Sequence, residues 1–547
     1  MNVLQVHPSD NVLVALRPLP GDQTVVHEGT SYTLTRAVPA KHKFATQDLN
    51  AGDAVTMYGV LVGRAVEPIP RGGLLTTANV KHAAAGYQTR AGSYTWHAPD
   101  ITPWQNRRFR GYHRDDGQVG TANHWLVLPL VFCENRNVEV LKAAFERELG
   151  YATPSIYQQQ VAALARLYRE GAPLEKLRSQ PVMPEQTTTT PRVFANIDGV
   201  HFLTHEGGCG GTRQDARTLC GLFAGYLHHP NVAGGTVLSL GCQNAQIDLL
   251  KEELLKRNPH FDKPLLIYEQ QRYASAHTLL SDAVRDTFAA LAEANRLERH
   301  PASLHHLTLG VECGGSDGFS GLSANPAIGH TADLLTALGG TVILAEFPEL
   351  CGVEQALIDR CVDADTAARF AALMQAYATL AEAVGSGFDM NPSPGNIRDG
   401  LLTDAMKSAG AARKGGTSPV TAVLDYPEYA TTPGLNLLCT PGGDVESTTG
   451  LAGAGANVIL FSTGLGTPTG NPVTPVLKLS TNSALAQRLP DLIDIDTGPI
   501  ITGDQTIEDV GEQILDTVIE VASGETETKA TRLRQFDFIP WKRGVSL

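Results

Sequence analysis

Apolar residues in the first ninety or so positions come in short runs, "NVLVALR", "TVVHEGTSYTLTRAV" and "AVTMYGVLVGRAV", separated by Pro-Gly, Asn-Ala-Gly and Arg-Gly-Gly turns. Short β-type runs punctuated this way predict a small all-β module over residues 1–92. The stretch from Ser93 to about Arg108, "SYTWHAPDITPWQNRR", has no periodicity and reads as a linker (93–108) that packs on something. From residue 109 the pattern changes. Strand-like runs ("HWLVLPLVF", "GTVLSLGC", "KPLLIYE", "HHLTLGVEC", "TVILAEF", "LNLLCT", "NVILFST", "TPVLKLS") alternate with amphipathic stretches such as "AHTLLSDAVRDTFAALAEANRL" and "TAARFAALMQAYATLAEAV". Such alternation predicts an α/β protein whose parallel sheets are covered on both faces, with function at the carboxyl ends of the strands.

Four loops leave strand ends with a cysteine at or just past them: "FCENRN" (Cys133), "LTHEGGCGG" (Cys209), "LGCQNAQ" (Cys242) and "ECGGSDGFSG" (Cys313). A lone cysteine at a strand end reads first as packing, but four in Gly-rich polar loops also read as candidate ligands. Cys351 and Cys361, in helical patterns, Cys220 in "TLCGLF" and Cys439 in an apolar strand read as buried structural thiols. His205, four residues before Cys209, is by itself more often a hydrogen-bonded structural residue, but imidazole and thiolate together suit iron or zinc. The sequence holds no CxxC pair, so a zinc ribbon or ferredoxin-type cluster is disfavoured. Nor does it hold a complete dinucleotide fingerprint, a GxxxxGK[ST] loop or a GxSxG elbow. The loops "NPSPGN", "TPGGDVESTTG" and "STGLGTPTGNP" are first of all turn chemistry, yet they could cradle a polyhydroxylated carboxylate, with Lys407 and Lys414 supplying local charge.

Length and charge narrow the classes. A chain of 547 residues needs two to three domains, and a net charge of -14 with 18% charged residues argues against a nucleic-acid surface. Mean hydropathy is -0.10, and no window approaches a membrane span, so a cytoplasmic protein is expected.

Several long motifs then carry a resemblance. "GYHRDDGQVGTANHWLVLPLVFC", "HEGGCGG", "LHHPNVAGGTVLSLGCQN", "ECGGSDGFSGLSANPAIG", "NPSPGN", "TPGLNLL" and "GTPTGNPVTPVLKLSTNS" together resemble the altronate and galactarate dehydratase family, in order and over essentially the whole chain. The first module, with "DNVLVAL" and "KHKFATQDLNAGDAVTMYGVLVGRA", is similar to the β-clip (SAF-type) domain that leads these enzymes. Continuity through "PGLNLL", "LAGAG" and "RGVSL" points to the altronate branch.

The resemblance implies an N-terminal β-clip domain, a central α/β domain that dimerises (109–302) and a C-terminal Rossmann-like metal-binding domain (303–547). It implies a homodimeric hydro-lyase acting on a small sugar acid with a divalent metal, iron most often and manganese next. An iron–sulfur cluster on some of the loop cysteines is the lesser alternative. Departures from the family pattern are Lys41 before His42 and Lys43, Ile397 in a lysine position, Leu465 in an arginine position and Thr469 in a tyrosine position. These bear on the substrate more than on the reaction. The stretch 180–193 looks like an insertion and is expected to be a surface loop.

Dehydrating an aldonate removes the proton α to a carboxylate and expels the β-hydroxyl, so a cation must absorb enediolate charge while a base and an acid move protons. His205, His42, Glu312 and Asp317 are the candidates for proton transfer, and Lys43 for the substrate carboxylate. Ser316, Asn325, Asn396, Lys407, Lys414 and Thr467 are candidate substrate contacts; Cys133, Cys209, Cys242 and Cys313 are candidate metal ligands, with Cys209 and Cys313 expected to share one ion. The β-clip module is expected to act as a lid on a flexible linker, removable without unfolding the remainder. Galactarate or another aldarate is the alternative substrate, and a non-catalytic sugar-acid binding protein the alternative of another class.

Overall fold

The computed structural model describes residues 2–88, 94–151, 156–181 and 191–544. Most of the suspected insertion and the first linker residue lie outside the described residues.

The N-terminal module is all-β. Strands Val3–Leu4, Val12–Ala15 and Lys43–Ala45 form one antiparallel sheet; Thr24–His27 pairs with Thr30–Thr33, and Ala54–Met57 with Val60–Ala65. Both hairpins turn on two residues with positive φ, Glu28-Gly29 (46° and 78°) and Tyr58-Gly59 (58° and 78°), as the tight turn that matches strand twist requires. The Asp10 carboxylate accepts from the N–H groups of His7, Tyr58 and Gly59 at 2.9, 3.1 and 2.9 Å, tying the first strands to the second hairpin.

This module is no loose lid. Val12, Val14, Val55, Met57 and Val62 share one buried cluster with Phe319, Leu322, Leu402, Ala405 and Met406 of the C-terminal region. The expectation that its deletion would abolish turnover yet leave the remainder folded meets this packing: removal strips the cover from an apolar core. The linker packs too. Trp104 is buried in the largest core and donates to Asp516 Oδ1 at 2.9 Å, and Tyr94 donates to the Thr417 carbonyl at 2.6 Å.

Two parallel sheets follow. The first comprises β1 (His124–Pro129), β2 (Gly199–Phe202), β3 (Val232–Ser239) and β4 (Leu265–Glu269) in the order β2-β1-β3-β4. Alternation places Leu126 and Leu128 against helices Arg213–His228 and Ile247–Arg257, while Trp125 and Val127 meet helices Asn135–Glu148 and Ala276–Ala294. Both faces are thereby buried, which is why these strands read as continuous apolar runs.

The second sheet has seven strands: β5 (Thr308–Cys313), β6 (Thr341–Leu344), β7 (Val420–Leu424), β8 (Gly434–Leu438), β9 (Val458–Thr463), β10 (Val476–Ser480) and β11 (Ile495–Asp496), ordered β7-β8-β6-β5-β9-β10-β11. Every registered pair in it is parallel. The chain reverses direction across the sheet beside β5, and that switch point is where an open α/β sheet gathers its site.

Candidate active site

Strand β5 ends in Glu312 and Cys313, both buried. To one side β6 delivers Glu346 and, in a one-turn helix Phe347–Leu350, Glu349. Glu346 sits in the left-handed region (φ 66°) with its N–H donating to Thr440 Oγ1 at 2.9 Å. A non-glycine residue held there costs on the order of 1–3 kcal/mol, a strain typical of functional sites.

The side chains converge on one another. Cys313 Sγ, Glu346 and Glu349 offer donor atoms within 4.8 Å of one another. Lys414 Nζ lies 2.8 Å from Cys313 Sγ and 2.7 Å from Glu346 Oε2, and Lys407 Nζ lies 2.5 Å from Glu349 Oε1 and 3.0 Å from Asn391 Oδ1. Ser447 donates to Glu312 Oε2 at 2.6 Å. Burial and the neighbouring Glu346 hold the Glu312 carboxyl well above its ordinary range, and burial does the same to the Cys313 thiol. Burial, then Glu346 and Glu349, push the Asp444 carboxyl up to about 7. Gly314 admits Asp444, because a Cβ there would stand 2.1 Å from its Oδ2.

The donor set fits a metal ion. A sulfur with two carboxylates suits iron or zinc better than magnesium. Glu346 Oε1 and Glu312 Oε1 are buried without a hydrogen-bond partner, acceptor capacity that a cation would satisfy.

The N-terminal module closes one wall. Lys41 Nζ meets Asp317 Oδ2 at 2.9 Å and Asp399 Oδ1 at 3.0 Å, and Lys43 Nζ donates to the Gly400 carbonyl at 2.7 Å. Gly318 and Gly400 allow this approach, since a Cβ on either would come within 2.7 and 2.5 Å of the Lys41 carbonyl oxygen. His42 Nδ1 is 3.2 Å from the Ala40 carbonyl, which places the ring proton on Nδ1 and the lone pair on Nε2. Burial pushes Lys43 down to about 7, against the attraction of Asp317.

Three family descriptions match consecutive parts of the chain: the altronate/galactarate dehydratase SAF domain over residues 1–83, the second domain of D-galactarate dehydratase/altronate hydrolase over 111–295, and the D-galactarate/altronate dehydratase C-terminal domain over 304–546. An altronate dehydratase of Escherichia coli (strain K12) is 32% identical over 556 residues, covering 100% of both chains. One from Bacillus subtilis (strain 168) is 31% identical over 528 residues and 95% of each chain. The chain belongs to the altronate/galactarate dehydratase family. Galactarate dehydratase (L-threo-forming) of Escherichia coli, another member, is 28% identical over 532 residues, 96% of this chain and 93% of its own. Membership makes this chain a hydro-lyase. Among the described residues no helix is long and apolar enough to cross a membrane.

Against this family background the expected site residues sort themselves. Glu312, Cys313, Lys407 and Lys414 are brought together around the end of β5. Ser316 and Asp317 follow in the next loop, where Ser316 Oγ is buried without a partner. The Thr467 hydroxyl borders that loop, 2.8 Å from where a Cβ on Gly315 would stand. Asn396 and Asn325 are scaffolding. Asn396 donates to the Ser316 carbonyl at 2.7 Å, and Asn325 donates to the Gly410 carbonyl at 3.0 Å while accepting from Ser462 at 2.6 Å.

The four cysteines divide between the two sheets, and His205 is enclosed. Cys133, Cys209 and Cys242 belong to loops of the first parallel sheet, whereas Cys313 ends a strand of the second, and its gathered partners are Glu346 and Glu349. His205 is a clamp: Nε2–H donates to the Pro129 carbonyl at 2.8 Å and Nδ1 accepts from the Gly207 N–H at 2.9 Å, so both nitrogens are taken. Burial also pushes its pKa down to about 4. Glu346, Glu349 and Asp444 were not singled out from the sequence. The signal was present: "TVILAEFPEL" and "TPGGDVE" leave β6 and β8 by the same strand-end rule that picked out the cysteines.

Proposed function

We propose that this member of the family converts D-altronate to 2-keto-3-deoxy-D-gluconate and water. The observation that carries the reading is end-to-end similarity to two altronate dehydratases, with the buried thiol–carboxylate–lysine cluster at the switch point as its chemical counterpart. Cys313, Glu346 and Glu349 would hold a divalent ion, Fe²⁺ or Mn²⁺, which when bound supplies a Lewis acid for the substrate carboxylate and the enediolate charge. His42, with its lone pair on Nε2, is the base for the α proton. Lys41 and Lys43 concentrate positive charge for an anionic substrate in a protein of net charge -14. The packed N-terminal module excludes water from the enediolate. Divisions at residues 92, 108 and 302, a cytoplasmic location and a homodimer belong to the same reading.

Substrate choice follows from lost cations. Leu465 is exposed beside Gly315, and Ile397 lies in the short helix Pro394–Arg398 next to Asn396. Neither can pair with a second carboxylate. A charge-assisted contact is worth roughly 1.5–3 kcal/mol, so galactarate is disfavoured by at least about tenfold. Side-by-side anaerobic kinetics on both acids, with Fe²⁺ or Mn²⁺ supplied and light scattering giving the mass of the assembled particle, test the whole reading. Preference for galactarate overturns the substrate, and absence of keto-acid from every aldonate and aldarate overturns the activity.

A further inference from the structure

The chemistry above leaves three of the four strand-end cysteines unused, and the sheet topology places their loops side by side. In the order β2-β1-β3 the three adjacent parallel strands run out at one edge, and each is followed by a loop bearing one cysteine: Cys209 after β2, Cys133 after β1 and Cys242 after β3. All three are free thiols, Cys133 and Cys242 exposed and Cys209 partly so.

The loops are stitched to one another. The Phe132 N–H donates to the Gly207 carbonyl at 3.1 Å, the Ala245 N–H to the Gly208 carbonyl at 3.1 Å, and Asn244 Nδ2 to the Cys209 carbonyl at 2.6 Å. The buried His205 clamps the Cys209 loop to the end of β1, and Asn135 Nδ2 donates to the His205 carbonyl at 2.8 Å. Gly208 (φ 93°) lets this loop lie on β1, for a Cβ there would be 2.0 Å from the Leu130 carbonyl oxygen. Beside Cys209 opens a cavity of about 880 Å³ walled by Gly207–Gly211 and by Phe538, Trp541 and Lys542 of the C-terminal segment.

We propose that Cys133, Cys209 and Cys242 form a three-thiolate site for an iron–sulfur cluster. A single ion would draw its ligands close. Among the described residues, however, the one trio of such groups with donor atoms all within 4.8 Å is Cys313, Glu346 and Glu349, so these three sulfurs stand farther apart. A cluster bonds each thiolate to a different iron, so its ligands need not converge on one point. Three protein thiolates on a four-iron cluster leave one iron open, and the ligand class it takes is a hydroxyl or carboxylate oxygen, the groups a polyhydroxy acid carries.

The test uses the full chain, purified without oxygen and incubated with Fe³⁺, dithiothreitol as the partial reductant, and sulfide. The expected result is about four iron and about four acid-labile sulfides per chain, with a broad visible absorption that bleaches on reduction. Cys133→Ser, Cys209→Ser and Cys242→Ser each should lose more than half of the sulfide, and Cys351→Ser should keep it. Cys133 and Cys242 are exposed, so these serines disturb no core. Iron bound without sulfide by the wild-type chain, no iron at all, or full sulfide in all three variants overturns the proposal. Altronate turnover measured in parallel judges the lyase reading separately: turnover without a cluster overturns only this inference, and a cluster without any sugar-acid turnover overturns only the lyase.

Discussion

Lys43 offers a sharp test of how the N-terminal module is held. Its ammonium is enclosed against the Gly400 carbonyl, with Asp317 the nearest compensating charge and Lys41 an opposing one. Burial lowers its pKa from 10.5 to about 7. A lowered lysine pKa means that the unfolded chain binds more protons between those values, so this group's contribution to stability rises with pH across that window. Below about pH 7 the full cost of burying the charge is present, about 3.5 units at about 1.4 kcal/mol each, or on the order of 5 kcal/mol. Lys43→Met keeps the length of the side chain and removes the charge. It also loses one hydrogen bond, about 1 kcal/mol at every pH. The variant is therefore expected to be more stable than the wild type at pH 6 by about 3–4 kcal/mol, an advantage shrinking by about 3 kcal/mol on going to pH 9. Urea unfolding of both proteins, followed by tryptophan fluorescence at pH 6, 7, 8 and 9, measures the difference, in which titrations not coupled to Lys43 cancel. A difference that stays flat with pH, or one that grows toward pH 9, refutes the reasoning. Turnover should fall in the variant, because stability bought by removing a functional charge is commonly repaid in activity.

Three further outcomes are expected. Lys414→Met leaves Glu346 without its buried cation and should cost about 3–5 kcal/mol in urea unfolding, part of it restored in the double variant with Glu346→Gln. Asp10→Ala removes the acceptor of three backbone N–H groups and should lower stability by about 2–4 kcal/mol, seen as an earlier melting transition by circular dichroism. Leu465→Arg restores a cation beside Gly315 and should raise kcat/KM for galactarate about tenfold relative to altronate, while an unchanged ratio would remove this loop from substrate selection.

Much of the architecture is legible in the chain. Each of the eight apolar runs singled out from 124 to 480 contains a parallel strand, because strands buried on both faces cannot hide their composition. The helical stretches at 276–294 and 364–383 are helices, whereas the paired positive-φ turns of the first module fall inside two of its β runs and fold each into a hairpin. Two strands of the second parallel sheet escaped notice for local reasons. Val420–Leu424 is interrupted by threonine and hemmed by prolines, and Ile495–Asp496 is two residues long at a sheet edge.

The site was legible only in part. Strand-end loops drew attention to Cys133, Cys209, Cys242 and Cys313 alike, and nothing local distinguishes the fourth from the other three. Their division is decided by strand order, which joins β1, β2 and β3 into one sheet and sets β5 between β6 and β9 in another. That order depends on pairings between residues tens to hundreds of positions apart, which no periodicity records. Likewise His205 reads as a candidate base until both of its nitrogens are seen facing backbone groups. Lys43 reads as a free cation for the substrate carboxylate until the Gly400 loop, 357 residues away, encloses it. Sequence by itself determined the class of layers, the strand-end loops and the residue types able to do the chemistry, because periodicity and turn preference act over a few residues. Tertiary structure alone decided which of those residues share a site and which are clamped or desolvated, because hydrogen-bond partners and burial are properties of neighbours that the chain brings together only on folding.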